Sequence, residues 1–385
     1  MIFLIISIFI VIILLFEKTL HERRLHRVSI RVHVNGTRGK SSVTRLIAAA
    51  LRHSGIRTLA KVTGERPTLI HPDGREEILP RRGPTRIQEQ LRFIKKASYL
   101  SVDAVVVECM AVDPHLQFIS ETRMIKSTVG VITNVRPDHL EVMGHNLNEI
   151  AESLSNTIPQ NGMLITGDQT YYDFFKAKAK KKNSTAYLAG TLELQAKNGG
   201  KISILESNLA VAKLVCTGLG LDPERVTEAL RQATSSSMKS APIKARIKDR
   251  TIYFLDGFSA NDIESARIIQ DAWLNGGVYP KPFVALLNNR SDRPLRMLSF
   301  VGFLAGHDIY DHIVLLGGLR RPASRLLRRW GKGASVIVIK TEDPEQVLNE
   351  LFQRMAFKEC TLVGLGNLRG IGETLSQYLR TQGGM

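Results

Sequence analysis

A chain of 385 residues, 43% hydrophobic and 23% charged, holds enough apolar material for two packed domains and excludes wholesale disorder. Its three cysteines, Cys109, Cys216 and Cys360, lie far apart, which excludes a disulfide scaffold and a CxxC metal site and suits a reducing compartment. The net charge is +17, and the stretch from Glu17 to Leu100 alone, with 19 basic against 7 acidic residues, carries +12 of it. So dense a basic block expects an anionic partner: nucleic acid, anionic lipid or an acidic substrate.

Residues 1–16, MIFLIISIFIVIILLF, carry no charge and one polar side chain, Ser7. As a helix they span about 24 Å against a hydrocarbon core of about 30 Å. Thr19 and Leu20, with Lys18 snorkelling, supply the missing turn. Nothing basic precedes the run, and EKTLHERRLHR follows it, the reverse of a cleaved signal peptide. The expectation is a single-pass anchor over residues 1–20, N-terminus outside and everything after Glu17 cytoplasmic. The basic residues between 18 and 31 suit anionic lipid headgroups.

Ser29 to Val34 alternates as a strand should, and an apolar helical stretch runs on to His53. Between them stands Asn35-Gly36-Thr37-Arg38-Gly39-Lys40-Ser41-Ser42. Strand, glycine loop, Gly-Lys-Ser and helix wrap phosphates in backbone N–H groups at a helix N-terminus. Lys40 is expected to neutralise β/γ-phosphate charge and Ser41 to ligate Mg²⁺. One departure stands out: the usual spacing puts a further glycine at position 34, where this chain has valine. The loop is expected to bind ATP or GTP.

Asp103 to Met110 is a continuous apolar strand that presents Glu108 near its end, where a further Mg²⁺ ligand belongs beside a phosphate loop. Ser127 to Val135 is another strand, broken by Pro137, with Asp138 and His139 in the loop beyond.

Taken together, GTRGKS at 36–41, Glu108 at a strand end and TNVRPDHLEVMG at 133–144 resemble the Mur-type ATP-dependent amide ligases, the family that joins cell-wall peptide ligases to folylpolyglutamate synthases. NGTRGKSSVTRL, ECMAVDP, the DH and VMG segments, the apolar N-terminus and GNLRG near the end narrow the likeness to the ligase subunits of bacterial poly-γ-glutamate synthases. That resemblance implies an α/β fold: an anchor (1–20), a central P-loop domain with a parallel sheet (21–240) and a C-terminal Rossmann-like domain (241–385). It also implies that His139 ligates a second Mg²⁺ and that Asn208 lies near the nucleotide. Asp256 and Asn261 would hold the nucleotide, and Arg290 and Arg293 would reach its phosphates when the domains close. The likeness further implies that Arg66, Arg81, Arg82 and Arg86, in a Gly/Pro-rich loop after Thr63, bind the acceptor with Asn134 and Asp138. Many members complete the second metal site with a carbamylated lysine, which the sequence does not place.

The remaining stretches fit two domains. Lys176 to Asn183 reads as a solvated helix face, and Ser235 to Pro242 as a junction. Strands follow at Thr251–Leu255, Phe283–Leu287, His312–Leu316, Ser335–Ile339 and Thr361–Leu365, a parallel-sheet pattern. The implied reaction is acyl-phosphate formation from ATP with Mg²⁺, then attack by the amine of glutamate on a growing polyanionic poly-γ-glutamate chain. Small membrane subunits of the same synthase are the implied partners, and a homo-oligomer is compatible with the reading. No aromatic-rich basic face points to nucleic acid. Two readings stay open beside it: a ligase acting on folate or a cell-wall acid, and a nucleotide-gated membrane scaffold.

Overall fold

Valine-rich runs make the centre of the first sheet. Strands β1 (Ile30–Asn35), β5 (Ala104–Glu108) and β6 (Val129–Ile132) pair in parallel, β1 in the middle. Apolar residues dominate both faces of β5 and β6 because helices cover both, as parallel sheets require, whereas β1 turns Arg31, His33 and Asn35 to one of its faces. β2 (Thr58–Val62), β7 (Met163–Thr166) and β8 (Thr185–Leu188) extend the parallel array, and β3 (Thr68–Ile70) and β4 (Glu76–Ile78) add an antiparallel edge. The order is β4-β3-β2-β5-β1-β6-β7-β8. The computed structural model describes residues 2–63, 67–80, 86–190, 204–237, 242–258, 260, 263–331 and 335–383. The chain divides into two compact units, Met1–Ser236 and Ser237–Met385.

On one face of the first sheet, Val32, Val34, Val106 and Val131 pack under α2 (Lys40–His53), α7 (Ile204–Gly218) and α8 (Pro223–Ser237). Among the buried residues of α2, Val43, Leu46, Ile47, Ala50 and Leu51 recur at the helical period that makes one apolar stripe. The opposite face meets α1 (Ile2–His26), α3 (Glu89–Tyr99) and α4 (Pro114–Ile119), which runs on as a π turn over Ser120–Ile125. Farther along that face lie α5 (Leu147–Leu154) and α6 (Tyr172–Lys181). The lysine-rich stretch in α6 is a two-sided helix: Phe175 and Ala179 are buried, and Lys178 pairs with Glu152.

The second unit is a six-stranded sheet in the order β13-β12-β11-β14-β10-β9. Its strands are β9 (Ile243–Ile247), β10 (Arg250–Leu255), β11 (Phe283–Asn289), β12 (His312–Gly317), β13 (Val336–Val338) and β14 (Glu359–Gly366). Helices α9 (Ile263–Gly276), α10 (Pro294–Ala305) and α11 (Arg320–Arg329) cover one face, and α12 (Pro344–Arg354) and α13 (Ile371–Gln382) the other. This is a doubly wound sheet.

Two expectations change. The stretch after Thr63, expected to be a loop, contains the strands β3 and β4, joined by a tight turn in which Gly74 takes φ +86° and Asp73 accepts from the Arg75 N–H. The second sheet is not wholly parallel, because the two-residue turn after Ile247 folds β9 back antiparallel on β10.

The helix α1 is longer than the expected anchor. Its residues from Ile2 to Phe16 are exposed, whereas His21 and Leu25 are buried against the first unit. His21 Nε2 lies 2.9 Å from the Met124 carbonyl oxygen, and Glu22 pairs with Lys126 at 2.6 Å. Arg31 caps the junction: its guanidinium donates to the carbonyls of Leu25, in the last turn of α1, and of Val28 and Lys126, at 3.3, 2.7 and 2.8 Å. A cation on the last carbonyls of a helix also suits the helix dipole.

Behind β1 lies a buried ion pair. His33 faces away from Val32 and Val34, and its Nδ1 stands 2.7 Å from Glu121 Oε2 on the π turn, both side chains at 3% exposure or less. The other carboxylate oxygen of Glu121 accepts from the Ser127 N–H and hydroxyl, each at 2.8 Å. Burial disfavours the imidazolium, but the neighbouring Cys109 thiol and Glu121 carboxylate outweigh it and raise the His33 pKa. A histidine raised above its ordinary 6.5 contributes stability that is complete below that pH and lost as pH rises through the raised value. Glu121→Ala should therefore cost about 3–5 kcal/mol, the cost of stranding a buried charge. In denaturant titrations the milder Glu121→Gln should show a deficit that is largest below pH 6.5 and shrinks above it; a deficit independent of pH would refute the charged pair.

Candidate active site

The loop between β1 and α2 is built around two glycines with positive φ. Gly36 (φ +125°) packs so closely that a Cβ there would lie 2.1 Å from Thr133 Oγ1. Gly39 (φ +80°) would place one 2.5 Å from Asn208 Oδ1. Both positions need φ values that other residues adopt at a cost, and neither has room for a methyl group. The valine at position 34 is the penultimate residue of β1 and buried, so a glycine is not needed there for the turn. Gly39 caps α2 without any side chain bonding to the helix's first N–H groups. An uncapped helix start behind a glycine loop is an anion cradle.

Side chains just past the end of β6 hold the loop in shape. Asn134 accepts from the Thr37 hydroxyl (2.8 Å) and the Arg38 N–H (3.0 Å) and donates to the Arg38 carbonyl (3.0 Å). Thr133 donates to the same carbonyl at 2.6 Å. Asn134, expected at the acceptor, has its amide bonded at both ends to the Arg38 backbone. Asn208, buried on α7, packs against Gly39 and so stands beside the loop.

The carboxylate of Glu108 ends β5, which pairs with β1 so that Val34 and Glu108 are level. Glu108 is 4% exposed. Its Oε2 accepts from the Ser41 hydroxyl (2.8 Å) and the Thr63 N–H (2.7 Å), and among the described residues Oε1 receives no bond. A serine hydroxyl and a carboxylate in contact at the mouth of an anion cradle are hard oxygen donors of the kind Mg²⁺ takes. The residues present therefore fit the ion. Lys40 folds over the same loop, donating from Nζ to the Gly36 carbonyl at 2.7 Å and, more weakly, to that of Thr37 at 3.4 Å.

Of the remaining expected residues in the first unit, Asp138 stands 3.6 Å from the Arg38 guanidinium, which brings it to the loop's rim. His139, with φ +45°, has its Nδ1 3.5 Å from Glu141. Among the described residues no three of His, Cys, Asp and Glu gather as a metal site, and of the expected ligands Ser41 and Glu108 are in contact. Ser42 and Arg86 are exposed; Arg66, Arg81, Arg82 and Asn261 lie outside the described residues. Sequence reading missed Lys61, a fully buried lysine on β2 that pairs with Glu89 at 3.0 Å, one strand from Glu108. A lone lysine in an apolar run carries no motif; only the strand pairing brings it there.

In the second unit, β11 and β14 are neighbours whose following helices leave to opposite faces, the switch point where open α/β sheets bind ligands. Asn288 and Asn367 lock the two strand ends together: Asn288 Nδ2 donates to the Asn367 carbonyl at 2.6 Å, and Asn367 Nδ2 to that of Asn288 at 2.9 Å. Neither asparagine was expected, though the first lies in the Asn-Asn-Arg run and the second in GNLRG. Arg290 makes a two-pronged ion pair with Asp292, and Asp256 accepts from Arg380 at 2.9 Å. Arg293 precedes α10 as its capping residue. Asp256 Oδ1 and Asn289 Nδ2 are buried there without a partner among the described residues, polar atoms that a bound ligand could satisfy.

Comparison with known proteins agrees with this geometry. The Mur ligase middle domain family matches residues 34–213, and the C-terminal domain of poly-gamma-glutamate synthase CapB matches residues 243–382. The chain is 30% identical over 379 residues to the capsule biosynthesis protein CapB of Bacillus anthracis, covering 96% of this chain and 80% of that one. It is 30% identical over 377 residues to the PGA synthase CapB of Bacillus subtilis (strain 168), covering 96% and 95%. In fold it is similar to the folylpolyglutamate synthases of Mycobacterium tuberculosis, solved with ADP (TM-score 0.61, 15% identity, 94% and 93% covered), and of Thermotoga maritima (TM-score 0.58, 15% identity, 95% and 93% covered). With a phosphate cradle, a strand-end carboxylate on its serine and relatives matched along almost its whole length, the chain belongs to the CapB family of Mur-type, ATP-dependent amide ligases.

Proposed function

We propose that this ligase elongates poly-γ-glutamate at the inner face of a cell membrane. The observation that carries the reading is the convergence of Lys40, Ser41 and Glu108 on one glycine loop, in a chain 30% identical to a PGA synthase. A carboxylate resists amines because its leaving group would be oxide. Phosphorylation of the γ-carboxylate by ATP gives an acyl phosphate and ADP; the amine of glutamate attacks the acyl carbon, inorganic phosphate leaves and the amide forms.

Positioning and charge neutralisation supply most of such a catalyst's effect. Lys40 moves its ammonium from the loop carbonyls to the β/γ-phosphates, and the open N–H groups at the start of α2 take the remaining phosphate oxygens. Asn134 and Thr133 keep that cradle rigid before the nucleotide arrives. Ser41 and Glu108 hold Mg²⁺, which when bound neutralises phosphate oxygens. Asp138 and His139 serve the acceptor side, the latter with a second Mg²⁺, and Asn208, Asp256, Asn261, Arg290 and Arg293 serve the nucleotide. Arg66, Arg81, Arg82 and Arg86 attract the polyanionic acceptor. Small membrane subunits of the same synthase complete the assembly.

The apolar stretch of α1 supports the membrane assignment. It is the one helix among the described residues long and apolar enough to cross a bilayer. Its continuation is seated on the first unit, which a cleaved leader would not be. The cytoplasmic side follows from the basic residues after Phe16.

The direct test supplies ATP and Mg²⁺ with glutamate plus a γ-linked primer, a folate acid or a cell-wall acid, and reads the products by mass spectrometry. A ladder spaced by one glutamyl residue is expected; amide formation only with another acid would overturn the substrate assignment. Lys40→Ala should lower kcat by about 10²–10³-fold, the usual effect of removing one charge-stabilising donor, with unfolding unchanged beyond a small loop effect. Glu108→Gln should raise the Mg²⁺ concentration needed for half-maximal rate by about 10–100-fold, and a normal Mg²⁺ titration would remove Glu108 from the ion. Deleting residues 1–16 should move the protein into the soluble fraction with nucleotide binding intact; retention on membranes at high salt would contradict the anchor.

A further inference from the structure

The helix α11 has an unusual sequence, Arg320-Arg-Pro-Ala-Ser-Arg-Leu-Leu-Arg-Arg329, with five arginines and no acid. Ala323 and Leu327 are buried and dock the helix on the second unit's core. Arg320 turns inward and donates to the carbonyls of Ile339 and Lys340 at 3.3 and 3.2 Å. The other face is exposed: Arg321, Arg325 and Arg329 stand in line at i, i+4 and i+8, with Arg328 at their flank, where it donates to the Ser324 hydroxyl at 3.4 Å. None of these four has a carboxylate partner among the described residues.

This arrangement does not serve the helix itself. Like charges four residues apart repel, and an arginine in the first turn opposes the helix dipole. Among the described residues the second unit has ion pairs elsewhere, Arg250–Asp249, Arg290–Asp292, Arg354–Glu350 and Arg380–Asp256 among them. The uncompensated line is therefore available to an external anion, and guanidinium forks suit carboxylates held in series.

We propose that Arg321, Arg325 and Arg329 form a strip on which the γ-linked polyglutamate chain lies as it grows. The assignment rests on the proposed polymer substrate and extends it. Four residues of helix rise about 6 Å. An α-peptide unit advances about 3.5 Å, and the two additional chain bonds of a γ-linked glutamate bring its repeat to about 6 Å. The carboxylates of an extended chain thus recur along its axis at the spacing of the arginines. A membrane surface is the poorer fit. A helix that lies in lipid offers an apolar face to it, and the apolar face of α11 is already buried in its own unit.

The test replaces all three, Arg321→Gln, Arg325→Gln and Arg329→Gln, on the full-length protein in detergent, with circular dichroism to establish folding. Initial rates are measured with long poly-γ-glutamate and with a γ-linked dimer as acceptors, at low and high salt. The ratio of the dimer KM to the long-chain KM should fall at least tenfold in the variant, and added salt should produce the same loss in the wild type. An unchanged ratio in a variant that still makes polymer overturns the strip and leaves the substrate assignment standing. Normal long-chain kinetics with lost binding to phosphatidylglycerol vesicles overturns it in favour of lipid. If the wild type makes no polymer, the substrate assignment fails, and direct titration with purified poly-γ-glutamate decides the strip: binding lost in the variant supports it, and binding retained refutes it.

Discussion

The carboxylate of Glu108 is the point at which three strand ends meet. It terminates β5, accepts from the hydroxyl that opens the helix after β1, and accepts from the backbone just past β2. A buried carboxylate is tolerable only with such donors, since an unpaired charge at 4% exposure is costly to desolvate. The same bonds that make the charge affordable set its distance from Ser41. Fold stability and the placement of a carboxylate oxygen beside the Ser41 hydroxyl are therefore a single constraint here. The loop carries the complementary requirement, because Thr133 and Asn208 occupy the space that Cβ atoms at Gly36 and Gly39 would need.

The two units repeat one physical solution. In each, neighbouring parallel strands send their following helices to opposite faces, leaving a crevice at their carboxyl ends. In the first unit that crevice lies between β1 and β5 and holds the glycine loop and Glu108. In the second it lies between β11 and β14 and is closed by reciprocal asparagine bonds, where backbone carbonyls and side-chain amides replace charge.

What the sequence made legible was local. The Gly-Lys-Ser loop, the apolar run ending in Glu108 and the apolar N-terminus each depend on neighbouring residues, and each appears where periodicity and motif put it. What stayed hidden depends on register. Asn134 follows a strand like any loop residue until the pairing of β6 with β1 sets it against Thr37 and Arg38. His33 reads as the polar member of an alternating strand; a partner 88 residues away makes it a buried cation instead. The edge strands β3 and β4 have three residues each, too short for alternation to register, and the Pro-Asp-Gly turn joining them was the one local sign of a hairpin. Of the arginines expected at the acceptor, Arg86 is exposed, and Arg66, Arg81 and Arg82 lie outside the described residues.

The continuity of α1 has a geometric consequence. From Ile2 to His26 there is no break between the apolar stretch and the turns that seat on Met124 and Lys126. With that stretch in a bilayer, the first unit is joined to it as by an axle and not as by a tether. One residue inserted or removed between Phe16 and His21 would rotate the unit by about 100° about the helix axis and move it by about 1.5 Å along it. Which side of the unit faces the lipid plane is thus encoded by a residue count, in the phase of a single helix.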